Sequence, residues 1–338
     1  MRWSAPASST RYWPWPPESP TRNDRSPPRT PAHPPFKGII AGVGRGCGVV
    51  SGTRNRVSDR ALKAALVQLN GSDDPEANLG ETERLIRQAA TAGAELVLTP
   101  EVTNIVSASR TVQNERLALE DDDTTLARLR EVTAELGIWL SLGSLALKSG
   151  DADGRFVNRQ FLIGPDGGIR ARYDKIHMFD VELGGGESYR ESKGYRPGGQ
   201  AVTAETPWGK LGLTICYDMR FPALYRSLGE TGAAILTVPS AFTVPTGRAH
   251  WEVLLRARAI ETGCFVLAAA QWGRHGASRG RARETYGHSI AIDPWGRVLA
   301  DAGEGVGVTH VTLSLDAVAD TRTKIPSLAN ARPFAPPA

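Results

Sequence analysis

The stretch Gly212-Leu213-Thr214-Ile215-Cys216-Tyr217-Asp218-Met219-Arg220-Phe221-Pro222 constrains the fold more than any other part of the chain. An apolar, β-favouring run enters a cysteine and polar helix-forming sequence follows at once, which predicts a tight strand-to-helix turn with Cys216 on it. Such a turn lifts the sulfur off the sheet edge. The first amides of the helix, unpaired and at the positive end of its dipole, would favour a thiolate and could hold an oxyanion. Taken alone, a cysteine in an apolar run is at least as readily a small core residue. Its role therefore depends on what the rest of the chain brings to it.

Residues 61–69 read as a buried strand and 78–92 as a helix ending at Gly93. The run Glu95-Leu96-Val97-Leu98-Thr99-Pro100-Glu101 is a strand that delivers Glu101 at its C-terminal end, where open α/β sheets place their chemistry. By itself Glu101 is equally a solvated loop carboxylate. A helix over 121–136 and a strand over 138–146 continue a βαβ alternation. Residues 158–162 and 169–173 flank Gly164-Pro165-Asp166-Gly167-Gly168, a hairpin signal, and Lys175 lies where the second strand stops. A lone lysine there is ordinarily solvated. Gly184-Gly185-Gly186 marks a loop, and 187–197 lacks a period and reads as irregular. Residues 201–206 and 210–216 form the next hairpin, turning on Pro207-Trp208-Gly209. A helix over 221–232, a strand over 233–239 and a helix over 249–263 follow; in the last, Val253, Leu254, Ala257 and Ile260 recur as one apolar face. Strands at 264–271, 288–292, 298–301 and 306–315 complete the sheets, with an extended tail after Thr323.

A chain of 338 residues, 41% of them hydrophobic, can bury a large core. Its three cysteines, Cys47, Cys216 and Cys264, are too widely spaced for a disulfide framework or a CxxC site and suit a reducing cytoplasm. No apolar run reaches the roughly 18 residues of a membrane span. The net charge of +4 invites a nucleic-acid reading, but residues 1–57 hold nine Lys and Arg against two Asp and Glu, leaving the other 281 residues at −3. That segment also holds ten of the 23 prolines and reads as disordered, either a solvated extension or a basic tail for nucleic acid. The six histidines lack ligand spacing, so no metal site is expected. Gly42-Val43-Gly44-Arg45-Gly46-Cys47-Gly48 has the wrong spacing for a dinucleotide turn.

Thr99-Pro100-Glu101, Tyr173-Asp174-Lys175-Ile176-His177 and Ile215-Cys216-Tyr217-Asp218-Met219-Arg220-Phe221-Pro222, in that order, resemble the nitrilase superfamily of carbon–nitrogen hydrolases over about residues 60–325. Pro239-Ser240-Ala241-Phe242 and the run 247–262 look like the branch that contains ω-amidases and deaminated-glutathione amidases. The resemblance implies an α-β-β-α sandwich, extended to α-β-β-α-α-β-β-α when two subunits pair through helices such as 249–263. It implies a hydrolase domain over 58–325 between the extension 1–57 and a tail 326–338, acting on a small-molecule amide without a cofactor.

The resemblance also assigns roles. Cys216 would attack an amide carbonyl, and Glu101, buried beside the sulfur, would serve as general base and acid if its pKa is raised. Lys175 would stabilise thiolate and oxyanion, with the amide after Cys216 as second donor. Glu191, in Glu191-Ser192-Lys193-Gly194, is the expected second glutamate, positioning Lys175, with Glu182 and Glu187 as rivals on the same segment. Arg220, four residues after Cys216, would face the pocket and pair with a substrate carboxylate, unless it is bound structurally to Asp218 or Glu252. Phe242, Thr246 and Tyr217 would line that pocket. The implied reaction is hydrolysis of deaminated glutathione or of ω-amides such as α-ketoglutaramate through a cysteine thioester, releasing ammonia. An N-carbamoyl amino acid amidohydrolase or aliphatic nitrilase is the alternative within the superfamily; nucleic-acid or scaffold binding through the basic tail is the alternative from another class.

Overall fold

The computed structural model describes residues 61–184, 187–335 and 337, so the extension expected at 1–57 lies outside the described residues. Strand β1 (Ala61–Gln68) leads into helix α1 (Pro75–Thr91), whose first amides, at Glu76 and Ala77, are accepted by the Asp74 side chain. Then come β2 (Leu96–Leu98), α2 (Arg110–Arg116) and α3 (Thr124–Leu136), the last capped by Asp123 and closed by Gly137 at φ 63°. β3 (Trp139–Lys148), β4 (Phe156–Ile163) and β5 (Ile169–Asp174) follow, then a short ribbon of β6 (Asp180–Gly184) and β7 (Glu187–Arg190). β8 (Val202–Thr206), β9 (Gly209–Leu213), α4 (Pro222–Glu230), β10 (Ala233–Thr237), α5 (Val244–Thr262) and β11 (Phe265–Ala268) form the next run. A second ribbon of β12 (Trp272–Arg274) and β13 (Glu284–Tyr286) precedes β14 (Ile290–Ile292), β15 (Val298–Asp301), β16 (Gly307–Ser314) and α6 (Asp316–Lys324).

These strands make two six-stranded sheets, β16-β1-β2-β3-β4-β5 and β15-β14-β11-β10-β9-β8, each with three parallel strands at its centre. Side chains alternate between two faces of each strand. On β1, Leu62, Ala64 and Leu66 point into the layer between the sheets, where Leu211, Ile235 and Leu267 meet them. Ala65 and Val67 point the other way, against Leu85, Ile86 and Ala89 of α1 and Leu129 and Val132 of α3. The outer face of the second sheet buries Tyr225 and Leu228 of α4 and Trp251, Leu255 and Ala259 of α5. The architecture is an α-β-β-α sandwich, as the resemblance implies.

The departures have local causes. The segment expected to be irregular holds β7 and a 3-10 turn, Glu191–Lys193, because a ribbon polar on both faces leaves no hydrophobic alternation to read. α5 begins at Val244, with Pro245 in its first turn, where a missing N–H costs nothing. The apolar stripe read on that helix is not its core face: Val253 is 68% and Ile260 50% exposed, and the opposite side is buried. Arg258 lies on that buried side, its Nε donating to the Met219 carbonyl at 2.7 Å.

Candidate active site

Glu101 leaves the first sheet just after β2, on a backbone under constraint. Val102 adopts φ 50°, a left-handed conformation that a β-branched residue rarely takes. Its N–H is held by Ser144 Oγ at 2.8 Å. Gly143 makes the approach of the β2 end to β3 feasible, since a Cβ there would lie 1.9 Å from the Thr99 carbonyl oxygen. The carboxylate, 4% exposed, is fully engaged. Oε1 accepts from Lys175 Nζ and Asn158 Nδ2, each at 2.9 Å, and Oε2 accepts from the Ala241 N–H at 2.8 Å.

Lys175 follows β5, and its N–H donates to the Asn158 carbonyl at 2.9 Å. Its ammonium also donates to Glu191 Oε1 at 3.0 Å and Oε2 at 2.9 Å, so it bridges two carboxylates. Glu191 Oε2 is fixed in turn by the Phe179 N–H at 2.6 Å. Of the three glutamates weighed on this segment, Glu191 is the one that meets Lys175; Glu182 pairs with Arg190 on the surface, and the side chain of Glu187 lies outside the described residues.

Cys216 comes from the second sheet. β9 ends at Leu213, and Cys216, with φ 50°, opens a 3-10 turn, Cys216–Arg220, rather than α4 itself. Its N–H donates to the Pro239 carbonyl at 2.9 Å. The turn is pinned by Asp218, which is wholly buried. Asp218 Oδ2 accepts from the Tyr173 hydroxyl at 2.7 Å and the Ile215 N–H at 2.9 Å; Oδ1 accepts from the His177 N–H at 3.0 Å and lies 2.7 Å from His177 Nδ1. The carboxylate thus ties the cysteine turn to the strand end that carries Lys175.

Burial pushes the Glu101 carboxyl upward, but the Lys175 ammonium and the hydrogen bonds from Lys175 and the Cys216 thiol outweigh it and hold the group below the usual carboxylate range. The raised value that the sequence reading sets as the condition for Glu101 to act as a base is not present in the resting site. Burial, then the charge of Glu101, push the Cys216 thiol well up against the pull of Lys175. Burial works against the Lys175 ammonium, yet Glu101 and Glu191 raise it well above its ordinary value. The Cys216 thiol therefore rests neutral beside an ionised Glu101 and a charged Lys175, so it needs the help to ionise that the sequence reading assigns to Glu101. A thiolate forms there without piling up negative charge only if its proton moves to Glu101.

These groups sit on a cavity of about 960 Å³. Phe242 and Thr246 line it as expected, whereas Tyr217 and Arg220 are not among the lining residues. Arg220 Nη2 lies 3.2 Å from His250 Nδ1, with its guanidinium 5.4 Å from the Phe242 ring centre. Neither structural partner weighed for Arg220 holds it: Asp218 is bonded as above, and Glu252 pairs with Arg256 at 3.1 Å. Asn158 and Asp218 were not anticipated. Asn158 had a signal, a polar residue of low β propensity inside the strand Phe156–Ile163. Among the described residues no group of three metal-ligating side chains could hold a metal ion, and no helix is long and apolar enough to cross a membrane.

Comparison with known proteins fits this geometry. The profile described as carbon–nitrogen hydrolase matches residues 63–323. The chain is 39% identical over 269 residues to the deaminated glutathione amidase of Yersinia enterocolitica, covering 79% of this chain and 92% of that one. It is 41% identical over 272 residues to the deaminated glutathione amidase of Bos taurus, covering 80% and 81%. The crystal structure of the NitFhit protein of Caenorhabditis elegans superposes with a TM-score of 0.75 at 38% identity, over 80% of this chain and 65% of that one.

Proposed function

This chain belongs to the carbon–nitrogen hydrolase family, and from that premise we propose that it is a deaminated-glutathione amidase working through a thioester on Cys216. The observation that carries the mechanism is the buried chain Glu191–Lys175–Glu101 beside the Cys216 thiol on one cavity. Cys216 sulfur bonds to the amide carbonyl carbon as its proton passes to Glu101. The oxygen takes up the negative charge next to the Lys175 ammonium and the amide following Cys216. Glu101 then gives its proton to the amide nitrogen, the carbon–nitrogen bond breaks and the amine leaves. Water enters, loses a proton to Glu101 and bonds to the thioester carbon; the carbon–sulfur bond breaks and the sulfur recovers the proton. Glu191 keeps Lys175 charged and in place throughout.

In an ω-amide the departing group is ammonia. The amide nitrogen of deaminated glutathione belongs to cysteinylglycine, so the ammonia release expected from the sequence applies to the ω-amides alone. A cavity of about 960 Å³, near the upper end of ligand pockets at roughly 300–1,000 Å³, favours the larger leaving group. The exposed Val253 and Ile260 on α5 support pairing into a homodimer, and the free, buried cysteines Cys216 and Cys264 support a cytoplasmic setting. We read 58–325 as the catalytic domain, with 1–57 and 326–338 outside it.

The test is chromatographic measurement of both products from deaminated glutathione and from α-ketoglutaramate, with wild type and Cys216→Ala. The expected result is faster cleavage of deaminated glutathione by wild type and none by the variant. Faster cleavage of α-ketoglutaramate would instead make the protein an ω-amidase. Cleavage of neither substrate by folded protein that still alkylates at Cys216 would overturn the substrate assignment.

A further inference from the structure

We propose that Arg283 is the residue of this cavity that recognises a substrate carboxylate. The inference deepens the amidase reading and rests on it. Arg283 lines the cavity from the strand end just before β13 and is half-buried. Its Nη2 donates to the Ala241 carbonyl at 3.3 Å, and the N–H of that same residue holds Glu101 Oε2 at 2.8 Å. The guanidinium is thus bonded to the residue that anchors the proposed general base. Its charge reaches both Glu101 and Tyr195 across the cavity. No carboxylate among the described residues lies within ion-pairing distance of it, so most of its donor fork is uncommitted.

Of the other cations on the lining, Lys193, Arg274 and Arg281 are exposed, and the remaining three are engaged by protein groups. Lys175 is bridged by Glu101 and Glu191. Arg110 donates to the carbonyls of Gly194 and Gly154 and stacks 3.6 Å over the Phe156 ring. Arg190 holds Glu182 and the Val181 carbonyl. Arg283 is also held on a fixed frame. The ribbon β12–β13 is joined to the second sheet's loop by the Tyr286 N–H, which donates to the Phe242 carbonyl at 2.9 Å. His275, at the start of the loop between the ribbon strands, bridges the Gly71 carbonyl at 2.6 Å and Thr285 Oγ1 at 2.8 Å. A planar fork held in this way suits bidentate recognition of a carboxylate.

The acid could belong to the acyl part of the substrate or to its leaving group, and the experiment separates the two. Wild type, Arg283→Gln and Arg283→Lys are assayed on α-ketoglutaramate, on deaminated glutathione, on the C-terminal amide of deaminated glutathione, and on butyramide, which has no acid. The expected result is a fall in kcat/KM of about ten- to a hundredfold for the acid-bearing substrates beyond any fall on butyramide, carried mainly by KM and partly restored by lysine. A loss that includes α-ketoglutaramate assigns Arg283 to the acyl acid. A loss confined to deaminated glutathione and absent from its C-terminal amide assigns it to the leaving group. Equal losses on all four substrates would overturn the proposal. Calorimetric binding of 2-oxoglutarate and cysteinylglycine to Cys216→Ala, with and without Arg283→Gln, judges Arg283 without turnover. If wild type cleaves no amide, the amidase reading fails by itself; if neither carboxylate ligand binds more weakly to the Arg283 variant, the carboxylate assignment fails.

Discussion

Replacing Lys175 with methionine, similar in length but uncharged, leaves Glu101 and Glu191 facing each other without a cation. Their nearest oxygens each lie 2.9 Å from Nζ. Two atoms at that distance from a tetrahedral nitrogen are about 4.7 Å apart, and like charges there repel by about 3.5 kcal/mol at an effective dielectric constant near 20. One bound proton relieves this. In the wild type the Glu101 carboxyl is depressed on folding, so its contribution to stability is present above the ordinary carboxylate range and is lost as pH falls. In the variant one carboxyl of the pair is raised, so that contribution is present at low pH and is lost as pH rises. Urea unfolding of both proteins should therefore show a penalty of about 3–5 kcal/mol near pH 8 that shrinks by about 2–3 kcal/mol near pH 5. Turnover should fall at least about a hundredfold at either pH. An equal penalty at both pH values would refute the arrangement of two carboxylates on one ammonium.

Because burial and Glu101 hold the Cys216 thiol up while Glu101 stays ionised, kcat/KM should show an acid limb below the ordinary carboxylate value of 4.5 and no limb at the ordinary thiol value of 9.0. A titrating alkylation rate near that thiol value would contradict the neutral resting thiol. Asp218→Asn removes charged acceptors from a buried group with four hydrogen-bond contacts and should cost about 2–4 kcal/mol, with kcat down about ten- to a hundredfold. Unchanged kcat in a folded variant would show that the pin does not position Cys216. Burial lowers the His275 imidazole from 6.5 to about 4. The folded state thus binds fewer protons than the unfolded one, so stability is complete above pH 6.5 and declines as pH falls toward 4, by about 3 kcal/mol in all. His275→Gln should flatten that slope in urea titrations.

Glu101 and Cys216 stand just after strands whose apolar runs the sequence displays plainly, whereas Lys175 follows the mixed strand Ile169–Asp174 and stands out only beside the other two. Their protonation was not legible, because it is set by groups 74 and 16 residues from Lys175 that meet only in the folded chain. Four-residue spacing aims Arg220 at the pocket only on an α-helix from Cys216, and the 3-10 turn at Cys216–Arg220 changes the direction of that side chain. Arg283 gave no signal: it lies in an arginine- and glycine-rich loop that reads as solvated surface. On α5, periodicity picked Val253 and Ile260, since the buried face mixes Trp251 and Leu255 with Arg258 and Thr262 and so looks less apolar than the exposed one.

Strand β16 pairs with β1 along its whole length, from Ala61 opposite Ser314 to Gln68 opposite Gly307. All six strands of the other sheet lie between Val202 and Asp301. During synthesis that second sheet has every partner it needs while β1 still has an open edge, waiting for a segment about 240–250 residues downstream. Closing so long a loop is the slow, high-contact-order part of folding, and the bare β1 edge is where a nascent chain is exposed to aggregation. The sheet that holds Glu101 and Lys175 is thus the one whose edge strand arrives last, after all six strands of the nucleophile's sheet have been made.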